Sequence, residues 1–197
     1  MVGELKPGQK LSGREIAVQL GTSLTPVREA LLQLAAEGIL ESRPGQSIIV
    51  PVPTRAVYAE LRDIRVEVEG LGAERAALVI TPNAIEELSA IHDALVKAKA
   101  DRDYGLALRH NEAFHLGLCR EARMPQLYRV VESLWVQSGP FLNFLYSDEG
   151  EWQVPKTPHG HLHVLDALRQ RDGAAARRAI VEDIVSGGAR LMSRMND

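Results

Sequence analysis

Apolar residues fall at helical spacings along almost the whole chain, in two short runs near the start and in long runs after residue 54. In the first short run Ile16, Ala17 and Leu20 form a stripe, Ser12 stands at the N-cap, and Glu15 takes the capping-box position three residues on. Gly21 closes that helix. In the second run Thr25 is expected to cap, Pro26 sits in the first turn where a missing N–H costs nothing, and Val27, Leu31 and Leu34 face a core. Gly38 stops this helix, and the run Ile48-Ile49-Val50 reads as a strand. Two short helices, a tight turn and a β-wing make a winged helix-turn-helix. The second helix of such a unit projects its N-terminal end outward, and Ser23, Thr25 and Arg28 are side chains that donate hydrogen bonds to phosphates or base edges.

Pro51, Pro53 and Thr54 punctuate a boundary, after which no alternating strand pattern occurs. The spacing predicts helices over 55–79, 82–100, 103–121, 124–146 with a break near Gly139-Pro140, 157–170 and 172–194. The expected fold is therefore mainly α, with a winged helix-turn-helix over 1–53 and an all-α helical bundle over 54–197.

Composition sets limits on this picture. With 197 residues and 45% hydrophobic content the chain is long enough to bury real cores. It has no apolar run of about 18 residues, and its start lacks the charged and apolar regions of a signal peptide, so no membrane partner and a cytoplasmic location are expected. Cys119 is the only cysteine, which excludes an intrachain disulfide and a cysteine-based zinc cluster; a buried thiol is its expected role. The formal net charge is −3, and within the first 53 residues Lys6, Lys10, Arg14, Arg28 and Arg43 are balanced by Glu4, Glu15, Glu29, Glu37 and Glu41. Phosphate contact depends on local rather than net charge, so two copies acting on one site would compensate for a weak single head.

Several polar residues interrupt apolar helix faces. Leu108, Asn111, His115 and Leu118 follow one another at three, four and three residues, which is one continuous face. His161 shares a face with Leu165 and Leu168, and Asp183 with Ala176, Ala179, Ile180 and Gly187. A buried imidazole or amide without a partner costs roughly 1–3 kcal/mol and an unpaired carboxylate more, so these faces call for a partner helix, a ligand or a cation. A rotation of the helix at 157–170 would exchange His161 for His163; His110 and His159 read as surface or loop. Arg65 lies four residues before Glu69, which fits a surface ion pair or an arginine turned inward. Gln137 and Asn143 flank the Gly139-Pro140 break and are candidates to line a pocket, against the plainer reading of an ordinary kink.

The ordered set Leu5-Lys-Pro-Gly-Gln-Lys-Leu, Arg14-Glu-Ile-Ala, Thr25-Pro-Val-Arg-Glu-Ala-Leu and Glu37-Gly-Ile-Leu resembles the GntR family of bacterial transcription regulators, in its FadR-like subfamily. Weaker matches continue into the second half, at Glu60-Leu-Arg-Asp-Ile-Arg-Val-Glu-Val-Glu, Asn111-Glu-Ala-Phe-His-Leu and His161-Leu-His-Val-Leu-Asp-Ala-Leu. The resemblance implies a dimer on operator DNA, contacted through Arg14, Ser23, Thr25, Pro26, Arg28 and, at the wing tip, Gln46. It also implies a divalent metal at Asn111, His115, His161 and Asp183, and a small carboxylate effector held by the metal and Arg65. Repression relieved by the effector is the default action. Asn111 stands where aspartate is common and Asp183 where histidine is usual; a His, His, Asp and carbonyl set suits zinc, manganese, nickel or iron, or no ion at all. Leu24 replaces a frequent arginine and Ser47 a frequent glycine. Family members usually carry one more helix ahead of the matched segment, so the head is expected to be abbreviated or its start misassigned. Two other classes are compatible with the residues: a metal-dependent enzyme, and a helical dimerisation module that does not bind DNA.

Overall fold

The computed structural model describes residues 5, 7–42, 48–52, 54–142, 160–193 and 195. The head begins with strand β1 (Lys10–Leu11), followed by helices α1 (Gly13–Gln19) and α2 (Leu24–Ala36), β2 (Glu41–Ser42) and β3 (Ile48–Ile49). The three strands form an antiparallel sheet in the order β1-β3-β2, with Lys10 opposite Ile49 and Glu41 opposite Ile49. Leu11, Ala17, Val27, Leu31, Leu40 and Val50 close a small core of their own. Ser12 caps α1 as expected, its Oγ accepting from the Glu15 N–H at 3.3 Å. Gly21 and Gly38, with φ of +62° and +72°, end α1 and α2 in the left-handed conformation that glycine adopts without a Cβ penalty.

Two local expectations for the head are corrected. The N-cap of α2 is Ser23 rather than Thr25, so Thr25 lies inside the first turn; Ser23 makes no side-chain capping bond. Leu20 does not join the stripe of Ile16 and Ala17 but is 69% exposed, because α1 has already ended and Leu20 is its C-cap.

The rest of the described chain is helical: α3 (Arg55–Val79), α4 (Pro82–Ala100), α5 (Tyr104–Glu121), α6 (Pro125–Leu142), α7 (Gly160–Arg169) and α8 (Gly173–Met192). Boundaries are set by side chains that satisfy orphan N–H groups: Thr54, Thr81, Asp103 and Asp172 each accept from the backbone N–H three residues on. The predicted break at Gly139-Pro140 is absent. Pro140 lies in the last described turn of α6, where it removes one intrahelical bond, and the helix continues to Leu142.

α3 is the central helix, packed along α8 and also against α5, α6 and α7. Its Ala73, Ala76 and Ala77 share a buried cluster with Ala176, Ala179 and Ile180, and a Cβ on Gly70 would stand 3.2 Å from Arg177 Cγ and 3.3 Å from Val181 Cγ2, so α3 and α8 approach closely. The two larger apolar clusters of the bundle form around α3. Phe114, Leu118, Val164, Leu165, Leu168 and Ile180 belong to one, and Leu61, Val131, Leu134, Trp135 and Leu191 to the other. Arg55, at the start of α3, donates two bonds to the Met195 carbonyl at 3.1 and 2.8 Å and ties down the C-terminal end. No described helix is long and apolar enough to cross a membrane.

Candidate functional site

Two groups of side chains carry chemistry. The first is on the head, where Arg14 on α1 and Ser23, Thr25, Pro26 and Arg28 at the N-terminal end of α2 are all exposed. Burial of Val27 and Leu31 on the opposite side of α2 leaves this end free to meet a partner. Gln46, with Arg43 and Ser47, lies outside the described residues.

The second group is inside the bundle. The α5 face bearing Leu108, His115 and Leu118 is buried, with His115 1% exposed; Asn111, one turn earlier on that face, is half-buried. On α7 it is His161, fully buried with Leu165 and Leu168, that faces inward, while His163 is exposed. α8 brings Asp183 to the same place. His115 Nε2 lies 3.4 Å from His161 Nε2 and 3.3 Å from Asp183 Oδ2, and the last two atoms are 3.8 Å apart. A point equidistant from the three atoms lies about 2.0 Å from each, the length of a zinc–nitrogen or zinc–oxygen bond. The donor set of two imidazoles and a carboxylate therefore fits a divalent transition metal in both chemistry and spacing.

Local packing prepares this convergence. The His161 ring stacks on Phe114 with centroids 3.7 Å apart and planes 5° from parallel. Gly160 opens α7 directly against Asp183: a Cβ built there would stand 2.6 Å from Asp183 Oδ1 and 2.7 Å from its Cβ. Only a residue without a side chain allows α8 to bring that carboxylate in.

Behind His115 is a charged layer. Glu69 is fully buried and uses both oxygens: Oε1 accepts from Arg65 Nε at 2.6 Å and Oε2 pairs with His115 Nδ1 at 2.6 Å. The Arg65 guanidinium, 5% exposed, lies 4.0 Å from the centre of the Trp135 ring, and that ring is 5.0 Å from His115. The Arg65–Glu69 pair thus forms, but in the interior and not on the surface, since α5 and α6 pack over that face of α3. Burial pushes the Glu69 carboxyl up, yet the adjacent Arg65 and His115 outweigh it and hold the pKa below its ordinary value. Burial likewise works against a charged His115, and Glu69 with Asp183 reverses the sign, raising its pKa. The buried indole Nε1 of Trp135 has no hydrogen-bond partner among the described residues.

The other candidates lie apart. Gln137 follows Trp135 by two residues, about 200° around α6; its amide nitrogen donates to Ser133 Oγ at 3.2 Å, and its Oε1 is 4.0 Å from where a Cβ on Gly38 would stand. Asn143 lies outside the described residues. Glu69, Trp135 and His92 are members of this neighbourhood that the pattern did not single out. His92 on α4 is 4% exposed, with its ring centroid 5.5 Å from that of His161; burial foremost lowers its pKa. An i,i+7 relation between Ile85 and His92 on the buried face of α4 was the available signal.

Comparison with known proteins places both groups in context. Residues 1–50 match the bacterial regulatory proteins of the gntR family, and residues 60–185 match the FCD domain. The chain is 32% identical over 195 residues to the HTH-type transcriptional regulator McbR of Escherichia coli (strain K12), covering 99% of this chain and 88% of that protein. It is 30% identical over 184 residues to a probable D-xylose utilization operon transcriptional repressor of Paenarthrobacter nicotinovorans, covering 93% and 80%. The solved structure of E. coli McbR superposes with a TM-score of 0.91 over 98% of this chain and 92% of that one. A putative GntR regulator from Rhodococcus sp. RHA1, at 20% identity, shares the fold with a TM-score of 0.77 over 98% of this chain and 92% of that one. The gntR family and its member McbR are transcription regulators rather than enzymes.

Proposed function

Because the chain belongs to the gntR family of bacterial regulatory proteins and is a DNA-binding transcription regulator with an FCD domain, we propose that it is a cytoplasmic repressor whose hold on operator DNA is relieved by a small organic acid bound at a metal site. The observation that carries this reading is the convergence of His115 Nε2, His161 Nε2 and Asp183 Oδ2 about one point. His115, His161 and Asp183 hold the ion, and Asn111 stands one turn before His115 as a candidate fourth donor. A divalent cation there supplies a positive centre for a carboxylate. The orphaned Trp135 N–H beside the Arg65 guanidinium supports an acceptor-rich ligand in the same neighbourhood, because a buried donor gains about 1–3 kcal/mol when it is satisfied.

On the DNA side, two heads of a homodimer read half-sites related by a two-fold axis. Arg28 and Arg14 contact guanine or phosphate, Ser23 and Thr25 fix the backbone, Pro26 shapes the helix start, and Gln46 carries the wing tip. The effector needs only to favour one packing of the bundle over the other by about 1–3 kcal/mol to change the separation of the heads.

The test combines metal analysis with fluorescence anisotropy on a DNA fragment from the region upstream of the coding sequence. The expected result is one divalent ion per chain, dimer binding to the fragment, and release by one member of a panel of sugar acids, dicarboxylates and amino acids. His115→Ala and Arg65→Ala should abolish the release while leaving DNA binding intact. If both variants release DNA as the parent does, the assigned site is wrong.

A further inference from the structure

We propose that Glu69 is a positioning residue for the metal: from a helix that carries no ligand, it holds the His115 ring with the proton on Nδ1 and so directs the Nε2 lone pair toward His161 and Asp183. This rests on the reading of His115, His161 and Asp183 as ligands. An ionised carboxylate only accepts hydrogen bonds, so at 2.6 Å from Glu69 Oε2 the His115 Nδ1 must be the donor. The neutral ring then has its lone pair on Nε2, and that is the atom 3.3 Å from Asp183 Oδ2 and 3.4 Å from His161 Nε2. Two acceptors facing one another at such a distance repel unless a second proton on the ring or a cation stands between them, and the cation is the occupant that reading the three side chains as ligands requires.

The second oxygen of Glu69 makes the arrangement specific. Oε1 is claimed by Arg65 Nε at 2.6 Å, and the Arg65 guanidinium is held against the Trp135 ring. The carboxylate cannot turn, because both of its oxygens are fixed in a fully buried position. A carboxylate that merely neutralised Arg65 would need only one of them. Carboxylate–histidine–metal arrangements of this kind set ring orientation and ligand basicity, and removing the outer carboxylate commonly weakens metal binding 10–100-fold.

Glu69→Gln separates positioning from space filling. Arg65 is always a donor and claims the amide oxygen, which turns the amide NH₂ toward His115 Nδ1. That nitrogen must then accept, and the proton moves to Nε2, where it blocks ligation. In the full chain, zinc affinity measured by chelator competition should fall 10–100-fold in E69Q. The side-chain ¹⁵N spectrum of metal-free protein should move from an Nδ1–H to an Nε2–H imidazole, and the visible spectrum of the cobalt form should change. Unchanged zinc affinity and an unchanged ¹⁵N spectrum in E69Q, with binding lost in His115→Ala, would overturn the proposal and leave the metal site standing. If the parent protein takes up no zinc, the site itself falls and the proposal with it. Should E69Q fail to fold, Glu69→Asp keeps the charge but withdraws the oxygens by one methylene; weakened zinc binding supports the proposal, and binding equal to the parent's overturns it.

Discussion

Gly160→Ala tests the geometry of the cluster without replacing any of its three side chains. The new methyl would stand 2.6 Å from Asp183 Oδ1, 2.7 Å from its Cβ and 3.0 Å from its Cγ. Rotating the carboxylate relieves the first and third contacts but not the second, so α7 and α8 must also separate slightly. Overpacking of this kind costs about 1–3 kcal/mol, and the gain from replacing glycine by alanine in a helix is at most about 1 kcal/mol. The net expectation is a loss of up to about 3 kcal/mol, or several degrees in Tm at about 2–4 °C per kcal/mol for a chain of this size. The larger effect is on metal. Parent protein at a zinc concentration 100-fold above Kd should be stabilised by about 2.7 kcal/mol, and the variant, with Asp183 displaced, should lose most of that shift. Thermal melts with and without zinc measure both quantities. A variant that melts no lower than the parent and retains the full zinc-induced shift would refute the argument that Gly160 admits Asp183 to the cluster.

Phe114→Ala should cost about 3–5 kcal/mol in urea melts, since the ring is fully buried and stacks on His161, and it should weaken zinc binding by releasing that imidazole. Burial pushes the Cys119 thiol well above its ordinary pKa, so a thiol reagent should react slowly with folded protein at pH 8 and rapidly after unfolding. Because the folded-state value is raised, the stability linked to this group is complete below the unfolded thiol's pKa and is lost as pH rises beyond it. Relative to Cys119→Ala, the parent should therefore lose urea resistance between pH 8 and pH 10. Arg28→Ala should weaken operator binding and, if Arg28 neutralises one phosphate, reduce the slope of log K against log salt by about 1 in anisotropy titrations. An unchanged affinity and slope would remove Arg28 from the interface.

How much was legible beforehand depended on how local the cause was. Helix limits such as 55–79 and 82–100 follow from apolar spacing and from Thr54 and Thr81, whose caps act within three residues. The inward orientation of His115 was readable from its leucine neighbours on the same face, whereas the pattern favoured His161 but left His163 as its rival until the packing of α7 was known. Glu69 was not readable in this way. Four residues after an arginine, a glutamate has the same local pattern in a solvated pair as in a buried one, and only the packing of α5 and α6 over α3 distinguishes them. Pro140 misled for the opposite reason: the pattern places a break there, and the helix nevertheless runs through it to Leu142.

Backbone preference and one-sided burial act over a few residues, so the amino-acid order alone specified the two-part, mainly helical architecture, the outward end of α2 and the residue types able to hold an ion. Distances between atoms on separate helices depend on how those helices cross. Only the folded bundle therefore decided that His115, His161 and Asp183 share one point, that Gly160 makes room for the third, and that Arg65 and Glu69 lie beneath them out of reach of water.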